Sequence, residues 1–219
     1  AIHKRHMQTR QSYNELLRID KNDLSSEYQL YYDLYTDYLE QTIERIQYKE
    51  YLMPIDQMGG IQIEAPNLVD ITPFDNINDY NNYIARLNKL SGNIDQIIQL
   101  MKIGIEKNII PPQIVLKSVP EQIKKQSTYP INESPFYKPL QNLPSNIDDE
   151  LQSKLIVQVK KIISYEIYPA FEKLSTFFSE EYLPKTRNQI AISSMPNGKA
   201  YYQFLVKNHT TTNLSIQEI

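Results

Sequence analysis

The chain has 219 residues, of which 41% are hydrophobic and 22% are charged, so it is long enough and apolar enough to fold around a core. A net charge of −3 argues against the basic surface of a nucleic-acid-binding protein, and no apolar run reaches the length of a membrane span. Because cysteine is absent, disulfides, thiolate catalysis and cysteine-based zinc sites are excluded.

The N-terminal part predicts a leader followed by two helices. Residues 1–7 contain a basic run that predicts a disordered leader, and residues 8–19 predict a short amphipathic helix. Ser26 and Gln29 make a capping box that opens a strong helix through about Gln47. The apolar residues of this helix recur at a spacing of three to four and predict one broad stripe: Leu30, Tyr31, Leu34, Tyr35, Tyr38, Leu39, Ile43 and Ile46.

The middle of the chain predicts a loop and then a second helical block. Proline and glycine interrupt residues 48–74, but many Leu, Ile, Met and Phe residues predict that this irregular loop is packed. Helical periodicity returns between Ile77 and Ile105. An interruption at Ser91-Gly92 predicts either two helices in line or one kinked helix, because glycine disfavours a helix interior.

The last third predicts helices separated by proline-rich segments. Residues 112–126 predict a short helix, and the four prolines of residues 127–145 predict an extended crossover. A long helix kinked at Pro169 follows. The remaining predicted boundaries are a helix cap at Ser145 or Asn146, a helix end at Pro184, a short strand at Gln189–Ser193 and a final helix from about Lys199 to Lys207.

The whole pattern therefore predicts a mainly α-helical fold. We expect a multi-helix array with kinked long helices, long Pro/Gly loops and at most one short strand, in a single helical region over residues 1–219.

The chain ends on a signal for the start of a helix. Ser215 and Glu218 make a capping box, and Leu214 and Ile219 occupy the positions of a hydrophobic staple around it. A signal this complete normally opens a helix of several turns. Either one turn frays at the terminus, or the chain is the N-terminal piece of a longer protein, which is the alternative we favour.

The residues of this chain do not form a recognisable catalytic motif. A catalytic zinc ion needs three protein ligands, but the histidines are only His3, His6 and His209, and no H-E-x-x-H occurs. The spacing of His3 and His6 leaves a pair of metal ligands open, beside the alternative of a mobile terminus. G-x-S-x-G is absent too. We predict no catalytic residue and no metal ligand here.

Two segments retain functional interest. The paired glycines of Pro54–Gly60 would let the backbone approach a ligand closely. Near the C terminus, Tyr201-Tyr202 is followed by His209 and three threonines, which concentrate hydrogen-bonding groups at the end of a helix. The alternative for the second segment is that these side chains cap the helix.

Short sequence words occur in a fixed order over residues 8–219. They are Tyr32-Asp33-Leu34, Glu50–Gly60, Thr72-Pro73-Phe74, Asp79-Tyr80, Tyr83–Leu87, Glu181–Pro184, Met195–Gly198, and His209–Thr212 running into Leu214-Ser215. In this order they resemble the N-terminal half of a bacterial family catalogued as domain of unknown function number 885. Single words are common, but the ordered set is specific.

The resemblance implies a mainly helical, zincin-like protein, often exported and lipid-anchored in the cell envelope or periplasm of Gram-negative bacteria. The family's C-terminal half carries a histidine-rich segment resembling H-E-x-x-x-H-H, which implies a zinc metallopeptidase. That segment is not in this sequence. We therefore expect no cofactor in this chain and zinc in the missing part. The implied partners are the protein's own C-terminal half and a peptide substrate.

These expectations lead to a hypothesis for the site and to rival interpretations. We expect the loop residues Gln57, Gly59 and Gly60, with Tyr202 and His209, to line one wall of a substrate cleft. One rival is a non-catalytic envelope protein that binds or scaffolds. Another is an autonomous helical bundle that ends at Ile219.

Overall fold

The computed structural model describes residues 2–212 and 214–219, and within them nine α-helices follow one another. Their bounds are α1 Ile2–Leu16, α2 Ser26–Arg45, α3 Ile61–Asn67, α4 Ile77–Leu87, α5 Leu90–Glu106, α6 Val119–Thr128, α7 Asp149–Ile162, α8 Tyr168–Thr176 and α9 Gly198–Thr210. The β-structure of the described residues is limited to an isolated bridge between Pro112 and Arg187. The predicted mainly α-helical fold is confirmed.

The chain divides into two compact units, whereas the sequence predicted a single region. The first unit combines Ala1–Glu50 with Ala191–Ile219, and the second is Tyr51–Ile190. Within the described part of the chain, no helix combines the length and the apolar character that crossing a bilayer requires.

In the first unit, α1 packs against α2, and the Tyr13 hydroxyl donates to the Glu40 carboxylate at 2.7 Å. Helix α1 begins at Ile2, so residues 2–7 are helical rather than the disordered leader that the sequence predicted. The physical reason is that no proline or glycine precedes Gln8 to break the helix.

Helix α2 begins one residue away from its predicted cap. The Ser25 hydroxyl, not that of Ser26, accepts a hydrogen bond from the Tyr28 N–H, at 3.5 Å. The Gln29 side chain donates to the Leu24 carbonyl instead of closing a capping box. Leu39 is the buried residue of this helix, so most of the predicted apolar stripe lies outside the core.

The second unit holds a large core in which α8 packs against both α5 and α6. Its largest fully buried side chains are Tyr80, Tyr83, Phe136, Phe171, Phe178, Tyr182, Leu52, Ile55, Leu87, Ile94, Met101 and Leu116. The hydroxyls of Tyr80 and Tyr83 donate to the carbonyls of Pro139 and Phe136, at 3.1 and 2.9 Å. Two buried tyrosines thereby hold the proline-rich segment onto helix α4.

Both segments predicted to be irregular contain helical turns. Residues 48–74 include α3, and residues 127–145 form 3-10 turns at Ile131–Glu133 and Pro135–Leu140 rather than an extended crossover. Burial explains the difference. Phe136, Tyr137 and Leu140 can all reach the core only if the chain coils.

Two predicted boundaries in the second unit are corrected. The break between α4 and α5 falls at Asn88-Lys89, and Gly92 lies inside α5, because buried residues on both sides of Gly92 keep that helix intact. Asp148 caps α7 by accepting from the Leu151 N–H at 2.9 Å, in place of Ser145 or Asn146.

The predicted long helix corresponds to α7 and α8. The π-helical turn Ile163–Ile167 joins these two helices, and a second π-helical turn, Phe177–Tyr182, follows α8. Pro169 lies in the first turn of α8, where a proline is tolerated. The strand predicted at Gln189–Ser193 is absent from these described residues, and a 3-10 turn occupies Ile192–Ser194.

At the C terminus, the Glu218 carboxylate accepts hydrogen bonds from the backbone N–H and the hydroxyl of Ser215, at 2.8 and 2.6 Å. This is half of the predicted capping box, because the serine hydroxyl donates to the carboxylate instead of accepting from the backbone. Leu214 and Ile219 are both exposed.

Candidate functional site

The Gly-Gly segment forms a tight turn closed by Asp56. The Asp56 carboxylate accepts from the backbone N–H groups of Met58 and Gly59, at 2.7 and 2.9 Å, and the Asp56 N–H donates to the Gly59 carbonyl at 3.1 Å. Aspartate favours such turns because its short side chain reaches the backbone two or three residues ahead. Gln57 and Met58 stand exposed at the tip.

The two glycines of this loop have different structural roles. Gly60 has φ +115°, and a Cβ atom there would lie 2.7 Å from Gln62 Oε1 and 3.0 Å from the Pro54 carbonyl oxygen. A Cβ atom on Gly59 would meet nothing nearer than an Asp56 carboxylate oxygen, at 3.9 Å. Only the second glycine is therefore required by the backbone.

Two glutamines brace the loop. Gln62, buried in α3, donates from Nε2 to the carbonyls of Asp56 and Gly59, at 2.9 and 3.0 Å. Gln122 on α6 donates to the Gln57 carbonyl at 3.1 Å. Neither residue was predictable from the sequence, since no pattern distinguishes a bracing glutamine from a solvated one. The braces hold the exposed tip in one position.

Tyr202 and His209 lie on α9 in the first unit, and both are exposed. Tyr201 is instead the buried member of the tyrosine pair. It stacks on Tyr48 with ring centroids 4.7 Å apart. Burial raises the pKa of Tyr201, and the nearby Glu50 carboxylate raises it further.

Arg45 joins the end of α2 to α9. Its guanidinium donates to the Asn208 side-chain carbonyl at 3.0 Å, lies 3.7 Å from a Glu50 carboxylate oxygen and covers the Phe204 ring at 5.6 Å. The Asn208 amide also donates to the Gln41 side chain. This polar cluster was not identified from the sequence, because Arg45 and its partner Asn208 are 163 residues apart.

The threonines after His209 make the contacts of a helix C-cap. Thr211 has a left-handed backbone, φ 56°, and its N–H donates to the Lys207 carbonyl at 2.9 Å. The Thr210 hydroxyl donates to the Val206 carbonyl at 2.8 Å. These contacts correspond to the capping alternative for this segment.

The five residues predicted to line a cleft fall into two groups. Gln57, Gly59 and Gly60 share one braced loop of the second unit, whereas Tyr202 and His209 share one helix of the first unit.

The described residues do not offer a metal site. Residues 2–212 and 214–219 contain no group of three or more His, Cys, Asp or Glu side chains that could hold a metal ion. The zinc ion that the sequence resemblance implies therefore has no ligand set among them, and we derive no catalytic step through it in this chain.

The chain matches, over residues 1–219, the family described as "Bacterial protein of unknown function (DUF885)", and it belongs to that family. The family indicated by the sequence words is thereby confirmed. Among curated proteins, none matches this chain.

The fold is similar to a solved structure described as "the putative lipoprotein from Colwellia psychrerythraea". The two share 19% sequence identity with a TM-score of 0.83, and the match covers 96% of this chain and 38% of that chain. The chain thus spans less than half the length of this structural relative. At this identity the likeness establishes the fold alone.

Proposed function

We propose that this chain forms one wall of the substrate cleft of a bacterial zinc-dependent peptidase. In this proposal a C-terminal part supplies the zinc ion, a water molecule made nucleophilic by it, and a glutamate base. The proposal rests on the resemblance of the sequence words to the N-terminal half of this family, which implies a histidine-rich segment in the C-terminal half, and the match to the family is consistent with it. The larger size of the structural relative is consistent with such a second part.

The observation that carries the two-part arrangement is an uncovered aromatic surface on α2, here called the tyrosine face. Its members are Tyr28, Tyr31, Leu34, Tyr35 and Tyr38, which are 46–61% exposed. The rings of Tyr35 and Tyr38 stack with centroids 6.1 Å apart, and those of Tyr28 and Tyr31 meet edge to face at the same distance. Contiguous exposed aromatic side chains are typical of surfaces that another protein surface covers. In our proposal the C-terminal part covers this face.

The cleft residues fit the proposal in different ways. The Gln57 side chain lies on a loop that Asp56, Gln62 and Gln122 hold in place, so it could contact a substrate without first ordering the loop. His209 is exposed on α9, and its imidazole can donate or accept a hydrogen bond to a peptide. Neither residue carries the chemistry, so we assign both to substrate binding.

The test is hydrolysis by the natural protein that includes the C-terminal part. We expect it to cleave members of a mixed peptide library, followed by mass spectrometry, and to lose this activity on chelation and recover it with Zn²⁺. His209→Ala and Gln57→Ala should each lower kcat/KM by about tenfold, the loss of one good hydrogen bond, without changing zinc content. Lys199→Ala, an exposed change at the other end of α9, is the matched control. A zinc-loaded protein that cleaves no library member would contradict the proposal.

A second candidate is a non-catalytic binding or scaffolding protein of the cell envelope. The specific observation in its favour is that the structural relative is described as a "putative lipoprotein". This candidate keeps the tyrosine face as a binding surface and needs no zinc. Failure of hydrolysis together with an unaltered fold would favour it.

We also propose an envelope or periplasmic location in a Gram-negative bacterium, with a lipid anchor, on the same likeness. Cell fractionation with labelled fatty acid tests it. Label in the membrane fraction is the expected result, and unlabelled protein in the cytoplasmic fraction would contradict it.

A further inference from the structure

A groove of about 300 Å³ separates α3 from the junction of α4 and α5 in the second unit. One wall is a single face of α3 that includes Ile61 and Glu64, and the other includes Arg86 and Lys89. The groove volume is at the small end of the range for ligand pockets, about 300–1,000 Å³.

The floor of the groove is apolar. Ala65, Leu87 and Leu90 line it and are almost completely buried, so their positions are fixed by the core beneath them. An apolar side chain placed against them would be removed from water without any rearrangement of the protein.

The two walls carry side chains of opposite charge. Glu64 stands on the α3 wall, while Arg86 and Lys89 stand on the opposite wall. Among the described residues, Glu64 forms no ion pair with either cation, so the separations exceed 4.0 Å. The Arg86 guanidinium is also held in place, because it donates to the Thr72 hydroxyl at 3.2 Å.

We propose that this groove binds a small zwitterion with an apolar side chain, namely a free α-amino acid such as leucine. The ammonium group would pair with Glu64, the carboxylate with Arg86 and Lys89, and the side chain would cover the apolar floor. This occupant fits because it carries one charge for each wall, whose own charges do not pair with each other, and because its apolar body matches the surface between them. The inference is independent of the proposed peptidase activity, since binding is measured without hydrolysis and none of the five cleft residues lines the groove.

The test is calorimetric titration of the intact protein with leucine, N-acetylleucine, leucinamide, glycine and leucyl-leucine. We expect leucine to bind with a dissociation constant on the order of 1 mM or below, given the ligand efficiency of small molecules. Removing either ligand charge, or the apolar side chain in glycine, should weaken binding by about fivefold or more. Tighter binding of leucyl-leucine than of leucine would overturn the free amino acid as the occupant, because the two charges of the dipeptide lie on different residues and are farther apart.

Variants assign each charge separately. Glu64→Gln should weaken leucine by about fivefold and leave N-acetylleucine unchanged, and Arg86→Gln should weaken leucine and leave leucinamide unchanged. Glu121→Gln and Lys124→Gln are matched controls, because both residues are exposed on α6 outside the groove. Equal affinity for leucine and N-acetylleucine, or no binding of any compound to the folded protein, would overturn the proposal.

Discussion

Gly60 holds a backbone conformation, φ +115°, that residues with a side chain rarely adopt. Gly60→Ala should lower the free energy of unfolding by about 1–3 kcal/mol, because it adds backbone strain and a close contact with Gln62. Gly92→Ala is the matched control, since a Cβ atom there would meet nothing within 4 Å and alanine is the better helix former. It should raise the same quantity by about 0.5–1 kcal/mol. Urea denaturation measures both, and equal stability of the two variants would contradict the assigned role of Gly60.

Two buried tyrosines differ in how their hydroxyls are satisfied. The Tyr83 hydroxyl donates to the Phe136 carbonyl, whereas the Tyr182 hydroxyl has no hydrogen-bond partner among the described residues. Tyr83→Phe should therefore lower the free energy of unfolding by about 1 kcal/mol, and Tyr182→Phe should leave it unchanged or raise it. Denaturation midpoints compare the variants. A larger loss for Tyr182→Phe than for Tyr83→Phe would show that the Tyr182 hydroxyl has a partner.

Among the elements, helix α2 has one buried and one exposed face, and substitutions on these two faces should affect stability differently. Leu39 is 2% exposed, so Leu39→Ala should cost about 2–5 kcal/mol of unfolding free energy. Tyr38→Ser, next to it in sequence but 61% exposed on the tyrosine face, should change stability of this chain by no more than about 0.5 kcal/mol. Thermal denaturation followed by circular dichroism distinguishes the two. A comparable loss for Tyr38→Ser would mean that the tyrosine face is already packed.

Helices were predictable from spacing, but their faces and boundaries were not. The spacing of the apolar residues in α2 predicts that they share one face of the helix, but not whether that face is buried. In the structure, five apolar side chains of α2 lie in the solvent-exposed tyrosine face. Gly92 looked like a break, yet the burial of Ile94, Ile98 and Met101 outweighs the roughly 1 kcal/mol cost of one glycine. Tertiary packing decides such cases, and a single sequence does not contain it.

Only part of the candidate site could be predicted, because contacts that form on folding cannot be read from a single sequence. The glycines of the Gly59-Gly60 pair are visible in the sequence, and one of them is required by the backbone. The braces Gln62 and Gln122 are not visible, because they act through side-chain contacts with the loop backbone that form only in the folded chain. The partners Arg45 and Asn208 likewise meet only in the folded chain.

At the scale of the whole molecule, buried tyrosines couple stability to alkaline pH. Burial raises the pKa of Tyr83 and of Tyr182 above the ordinary value of 10.0. Their stabilisation is fully present below pH 10. Above it, the unfolded chain releases protons that the folded chain retains, so the free energy of unfolding falls by about 1.4 kcal/mol per pH unit for each tyrosine.

Urea denaturation between pH 8 and pH 11 tests this coupling. We expect stability to decline from about pH 10, and Tyr182→Phe to make the decline shallower because one such proton is removed. The exposed variant Tyr165→Phe is the control and should leave the slope unchanged. Constant stability of the unaltered chain up to pH 11 would contradict the assigned burial.

In the proposed function, the tyrosine face is one side of an assembly with a C-terminal part. The most direct measurement is nitration of exposed tyrosines, mapped by mass spectrometry, in this chain alone and in the natural protein with that part. We predict that Tyr28, Tyr31, Tyr35 and Tyr38 react in the chain alone and are protected in the natural protein, while the exposed Tyr165 of α7–α8 reacts in both. Equal reactivity of the four tyrosines in both proteins would contradict the claim.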